Sequence, residues 1–283
     1  TCNPACPAGR RCCGVTCVSD PWASQTTFGT YGNGLSNFSS PFAVSLTPDA
    51  LTVLVANRAG HRASVWTRPD ARSTDWSPQA TFGSIGSSII HFAYPEGAAI
   101  TADGLTALIA DASNHRISAW KRSAPGNNDW IPEARFGSEG TGETQLKFPA
   151  AISLSPDGLT AYIADRGNHR VSVWTRPSTT RIDWSPQSRF GSGPGSANNQ
   201  FDDPSGVAVS PDGLTAWVSD SDNRRVSVWS RPNRTSLWNP VTTFGSNGSA
   251  PNQFSLPRGV AVSADTLTAW VSDVNNGRIA VWS

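Results

Sequence analysis

A five-bladed, all-β propeller is the fold class this chain predicts, and three observations predict it. Phe-Gly recurs at Phe28, Phe82, Phe136, Phe190 and Phe244, in even steps along the 283 residues. A Trp precedes each by the same distance, at Trp22, Trp76, Trp130, Trp184 and Trp238. A second Trp series (Trp66, Trp120, Trp174, Trp229, Trp282) and a Pro series (Pro41, Pro95, Pro149, Pro204, Pro257) run in the same register. Fixed periods of this length mark stacked supersecondary units rather than a single irregular core.

The fourth unit shows what one unit is. It reads Pro204-SGVAVS, PDG, LTAWVSD, SDNRR, VSVWSRP. Two short apolar, β-branched runs around a Pro-Asp-Gly turn form a hairpin, because Pro presets φ and Gly takes the left-handed position. "VSVW" supplies a third strand and "VTTFG" a fourth. Four antiparallel strands per unit is the propeller blade. The first strands are rich in small residues ("FAVSL", "GAAIT", "AAISL", "GVAVS" twice), which suits backbones converging on an axis. Trp and Phe fall on outer strands, where wedge-shaped blades diverge.

The expected blades lie at about 38–83, 92–137, 146–191, 201–245 and 254–283. The last lacks a fourth strand, and residues 20–29, bearing Trp22 and Phe28, are expected to complete it. Such closure removes two open edges; the same strand can equally finish a neighbour's blade.

Residues 1–19 form a separate expected segment. All five Cys lie there: Cys2, Cys6, Cys12, Cys13 and Cys17. Dense Cys and the lack of any Met suggest a processed chain in an oxidising, extracellular setting, with a disulfide-stapled head. A zinc knuckle fits less well, since there is no CxxC pair and no nearby His. Net charge is +1, which gives no field for nucleic acid, and no apolar run is long enough to span a membrane.

The units resemble NHL repeats, most clearly in "PSGVAVSPDGLTAWVSDSDNRRVSVW" (204–229) and "PAAISLSPDGLTAYIADRGNHRVSVW" (149–174). The resemblance covers residues 20–283. It departs in blade number, since relatives are most often six-bladed, in a longer loop between strands three and four, and at Asn57, where later units have Asp. The head resembles short Cys-rich modules with a "CPAG..CCG..CV" core. The resemblance implies a propeller. Among relatives it also implies lyases using metal-binding His with Arg, and in a neighbouring group lactonases with a carboxylate-held metal.

Most candidate residues have a structural role that competes with a functional one. In the Asp-x-x-Asn-His-Arg loops, Asp111, Asp165, Asp220 and Asp273 are expected to pair with Arg116, Arg170, Arg225 and Arg278, with Arg62 in the equivalent slot of unit one. His61, His115 and His169 occupy one symmetry slot, which spreads them around a ring and argues against a shared metal. The Gly-rich 191–199 opens no helix, so it is a linker and not a phosphate loop. Trp76, Trp130, Trp184 and Trp238 serve packing or, in the competing reading, sugar stacking. Asn37, Asn233 and Asn247 are N-glycosylation candidates. No catalytic, cofactor or metal set is visible.

The expectation is therefore a non-catalytic, secreted or cell-surface propeller acting in structure or adhesion, with protein partners that include copies of itself. It needs no cofactor, binds no nucleic acid and inserts in no membrane. The alternatives are a multivalent lectin and, second, a metal-dependent lyase or lactonase.

Overall fold

The computed structural model describes residues 10–13, 16–19, 26–181 and 183–283. Within them lie four four-stranded antiparallel sheets, one three-stranded sheet and almost no helix. The protein is a five-bladed β-propeller. Blade one comprises Pro41–Leu46, Thr52–Asn57, Arg62–Thr67 and Ser77–Phe82, and the next three repeat that pattern. Blade five comprises Pro257–Val262, Ala269–Asp273 and Arg278–Trp282. Residues 26–29, the described part of the expected closing segment, carry no strand, and 20–25 lie outside the described residues.

Each element forms for a local reason. The hairpin between strands one and two closes on an Asx turn: the Leu105 N–H donates to Asp103 Oδ1 at 2.9 Å, while Gly104 takes φ +69°. Strand three meets strand four across a bulge at the second Trp, where Trp66 faces Pro78 and Trp120 faces Pro132. Pro is tolerated there because the fourth strand is the outer edge.

The cores lie between blades. Leu54, Val65 and Phe82 of blade one pack with Ala98, Ile109 and Trp120 of blade two, all buried. Near the axis the backbones nearly touch: a Cβ on Gly206 would lie 2.1 Å from the Arg258 carbonyl of the next blade. The small residues of the first strands are thus a packing requirement.

Blades five and one are different. Inside the array, Ile117 and Ala119 on the third strand of blade two are sealed, at 0% and 1% exposed. Their counterparts in blade five, Ile279 and Val281, are each 61% exposed. Across from them, Phe42, Val44 and Leu46 on the first strand of blade one are also exposed. Gly259, the counterpart of Gly206, would meet only Ser272 Oγ. Among the described residues an open seam therefore separates the last blade from the first, and across it the Arg258 guanidinium lies 5.9 Å from the Phe42 ring. Phe28 packs on blade one against Trp66 and Trp76 at 4.8 and 5.3 Å, the place Phe82 takes on blade two.

Candidate functional site: the mouth of the axial channel

Most of the conspicuous repeated residues hold the scaffold. The Asp165 carboxylate is fully buried; it accepts from the Lys147 N–H at 2.7 Å, Asn168 Nδ2 at 2.8 Å and Arg170 Nε at 2.8 Å. Arg170 then donates to the carbonyls of Thr141, Gly142 and Gln145. This clasp ties the blade-to-blade linker to the hairpin loop. It recurs at Asp111–Arg116, Asp220–Arg225 and Asp273–Arg278. Unit one keeps Arg62 on the carbonyls of Gly34 and Asn37, but Asn57 Nδ2 and Arg62 Nε are both buried without partners.

The His slot bridges blades. The Tyr94 N–H donates to His61 Nδ1 at 3.2 Å, and the Phe148 N–H to His115 Nδ1 at 3.1 Å. His169 Nδ1 lies 3.4 Å from Asp202. Each His reaches the next blade, and the three do not converge.

Trp130, Trp184 and Trp238 are buried, and Trp76 is half-buried. Each ring is held between a Phe and an Arg: Trp130 stacks on Phe82 at 5.3 Å, with Arg122 5.1 Å from its centroid. Arg122 also donates Nε to the Gly104 carbonyl, fixing the inner hairpin turn. These ring faces are already covered, which leaves sugar stacking no surface at the three buried positions. The Arg partners Arg68, Arg122, Arg176 and Arg231 follow the second Trp series at a constant offset, a signal the sequence carries although the Trp and Phe series overshadow it.

The remaining candidates are peripheral. Asn37 is engaged with Thr30 Oγ1 and the Gly34 N–H, whereas Asn233 and Asn247 are exposed. Cys12 and Cys17 face each other in the register of a short hairpin, Cys13 opposes Thr16, and Cys2 and Cys6 lie outside the described residues.

Chemistry collects where the repeat varies. Three slots per blade face one end of the axis: the residue before the series Pro, the residue after it, and the residue after the clasp Asp. In blade order they hold Ser40, Phe42 and Arg58; Tyr94, Glu96 and Ala112; Phe148, Ala150 and Arg166; Asp203, Ser205 and Ser221; Leu256, Arg258 and Val274. Most of the pre-Pro residues adopt φ near +50°, as at Tyr94 (+49°) and Asp203 (+54°), so the chain turns sharply over the mouth.

The charged members connect. Glu96 is buried and accepts from Arg58 Nε at 3.0 Å and Arg166 Nη1 at 2.8 Å, joining blades one, two and three. Arg166 Nε lies 3.6 Å from Asp203 Oδ1 on blade four. Burial pushes the Asp203 carboxyl above its ordinary range, while Arg166 and Arg258 pull it back. Among the described residues Arg258 has no carboxylate partner within ion-pair distance. Beneath the mouth lies a cavity of about 560 Å³, lined mainly by the first strands.

Among the described residues no three His, Cys, Asp or Glu side chains converge. Glu96 already carries two guanidiniums. This donor set does not fit the carboxylate-held metal that the lactonase resemblance implies.

No protein-family model matches the chain, and no curated protein matches it in sequence. Solved structures do match in fold. One is a putative 6-phosphogluconolactonase from Bacteroides uniformis, 17% identical over 86% of this chain and 66% of that one, TM-score 0.60. A second, from Bacteroides fragilis, carries the same name, at 14% identity over 83% and 64%, TM-score 0.55. A third is the periplasmic gluconolactonase of Pseudomonas aeruginosa, 18% identical over 87% and 72%, TM-score 0.52. The chain spans slightly less than two thirds of the two Bacteroides proteins. At these identities the likeness establishes the shared propeller fold. The expectation of a non-catalytic adhesion protein that is no enzyme is corrected by the names these neighbours carry, two putative 6-phosphogluconolactonases and one gluconolactonase, which favour the lactonase alternative.

Proposed function

We propose that the protein is a lactone hydrolase whose reaction site is the mouth of the axial channel. The observation that carries this reading is Asp203, a half-buried carboxylate with a raised pKa that lies 3.6 Å from Arg166 and within the field of Arg258, itself a lining residue of the axial cavity. The fold of the named lactonases supports it as analogy only.

The chemistry follows from these groups. Ester hydrolysis needs a base for water and positive charge where the carbonyl oxygen becomes an oxyanion. Asp203 takes a proton from water as its oxygen bonds to the lactone carbonyl carbon. Arg258 stabilises the oxyanion. The ring C–O bond then breaks, and Asp203 returns the proton to the departing alkoxide, leaving an open hydroxy acid. Glu96 positions Arg166 beside Asp203 and touches no reacting atom. A raised pKa makes Asp203 a stronger base than an ordinary carboxylate. Rate should therefore fall as pH drops through that raised value.

The test is acid release in a pH-stat from δ-valerolactone and δ-gluconolactone, corrected for spontaneous opening. Asp203→Asn should lower kcat at least 100-fold, and Glu96→Gln should move KM more than kcat. Rates equal to background with wild-type protein would end the proposal. As to setting, we propose an extracytoplasmic location on the Cys-rich head, with Asn233 and Asn247 as exposed glycan acceptors.

A further inference from the structure

The cavity below the mouth is larger and more apolar than the opening of a small polar ring requires. It lies within the roughly 300–1,000 Å³ of ordinary small-molecule sites. Its walls continue from the axis into the seam, with Phe42 and Val44 on one side and Trp270 and Ile279 on the other. Val44 and Ile279 are among the most exposed apolar side chains of the chain, at 62% and 61%. Apolar surface this open is unusual unless something covers it.

The polar end of the same cavity is cationic. Arg258 and Arg58 flank the Phe42 ring, their guanidinium carbons 5.9 and 5.6 Å from its centroid. Arg58 is paired with Glu96, which it shares with Arg166, whereas Arg258 has no carboxylate within ion-pair distance among the described residues. A positive head site thus sits on a long apolar trough. Its complement in charge and polarity is an amphipathic molecule with an anionic or ester head and an unbranched alkyl chain.

We infer that the seam cavity binds such a chain, with its carboxylate or lactone head at Arg258. The inference deepens the lactone-hydrolase reading and rests on it only for turnover. It makes alkyl-substituted lactones the substrate class and their hydroxy-acid anions the products. Binding of the anion is a separate claim.

The experiment is calorimetric titration of the whole protein with octanoate, decanoate and dodecanoate below their micellar concentrations. Expected is saturable one-to-one binding that tightens about three- to four-fold per methylene. Val44→Glu, at a surface position that leaves folding intact, should abolish the chain-length dependence. Arg258→Gln should weaken dodecanoate at least 10-fold and leave dodecanol unchanged. No saturable binding, chain-independent binding or indifference to Val44→Glu would overturn the inference; a strand or second chain filling the seam would give the first result. A second arm compares hydrolysis of δ-valerolactone and δ-dodecalactone. Dodecanoate binding without hydrolysis of either lactone sinks the hydrolase reading and leaves the alkyl site standing. Hydrolysis of both at equal kcat/KM, without dodecanoate binding, does the reverse.

Discussion

Replacing Asn57 by Asp should stabilise the protein, because unit one carries a flawed copy of the clasp the other blades share. Asn57 Oδ1 accepts the Ser39 N–H at 2.7 Å, as Asp111 Oδ1 accepts the Ala93 N–H at 2.6 Å. The second position differs. Asp111 presents Oδ2 to Arg116 Nε at 2.8 Å, whereas Asn57 presents an amide nitrogen to Arg62, and both groups stay unpartnered. Asp removes one buried unsatisfied donor and satisfies the other. Each such donor costs about 1–3 kcal/mol, and a hydrogen bond to a charged group contributes about 1.5–3 kcal/mol. Burying a carboxylate offsets several kcal/mol of this. Unit one also has Gly60 where other units place the Asn that gives a further bond. A net gain of about 2 kcal/mol is expected, or about 4–8 °C in Tm. The reverse change, Asp165→Asn, strands Arg170 and should cost about 3–5 kcal/mol. Calorimetry and urea midpoints of both variants at pH 7 decide the matter. If Asn57→Asp lowers Tm, desolvation of the carboxylate outweighs the clasp, and the reasoning fails.

Three further outcomes follow from packing and charge. Gly206→Ala must push its Cβ off a neighbouring backbone carbonyl and should cost about 3 kcal/mol or more, whereas Gly259→Ala should shift stability by less than about 1 kcal/mol; equal urea midpoints for the two would mean the seam is shut in solution. Trp184→Ala, which empties a slot between Phe136 at 5.3 Å and Arg176 at 5.1 Å, should cost about 3–5 kcal/mol, and the half-buried Trp76→Ala clearly less; a larger loss at Trp76 would contradict the burial order. Burial raises the Asp203 pKa above its ordinary 3.8, so the ionised carboxylate burdens the fold above the raised value and costs nothing below about pH 3.8; Asp203→Asn, which tolerates the same positive φ, should raise Tm at pH 7 with the advantage vanishing in acid, and a pH-independent difference would refute the linkage.

The architecture was legible because periodicity is a property of sequence. The Pro, Trp and Phe series gave blade number, strand order and the rising side-chain size from axis to rim. The Asp and Arg of the clasp were legible for the same reason. What escaped is what periodicity averages away. Glu96, Asp203 and Arg258 stand in slots where no two blades agree, so a search for repeated residues passes over them. Their spacing from the series Pro would have flagged them, since a slot that varies inside an otherwise regular unit is itself a signal. The seam escaped for another reason. Strand content counts hydrogen-bonding edges, and it is the faces of blades one and five that remain open, through Val44, Ile279 and Val281.

The asymmetry of the mouth bears on what kind of function the ring can host. A multivalent surface would offer each blade the same ligand groups, and binding would be read in steps around the axis. Here the slots that repeat most faithfully are occupied internally, the Trp faces by Phe and Arg and the Asp carboxylates by Asn and Arg, and the three His rings of units one to three are taken up by the next blade. The slots that differ supply one Glu, one Asp and three Arg around a single opening. Glu96 joins three blades through two guanidiniums, which fixes Arg166 beside Asp203 without leaving Glu96 free to act. Arg258, on the blade that borders the seam, has no carboxylate within ion-pair distance among the described residues. Under the lactone-hydrolase proposal, Asp203 as base, Arg258 as cation and one cavity define one ligand in one orientation, which is the requirement of a reaction rather than of a lattice of equal contacts.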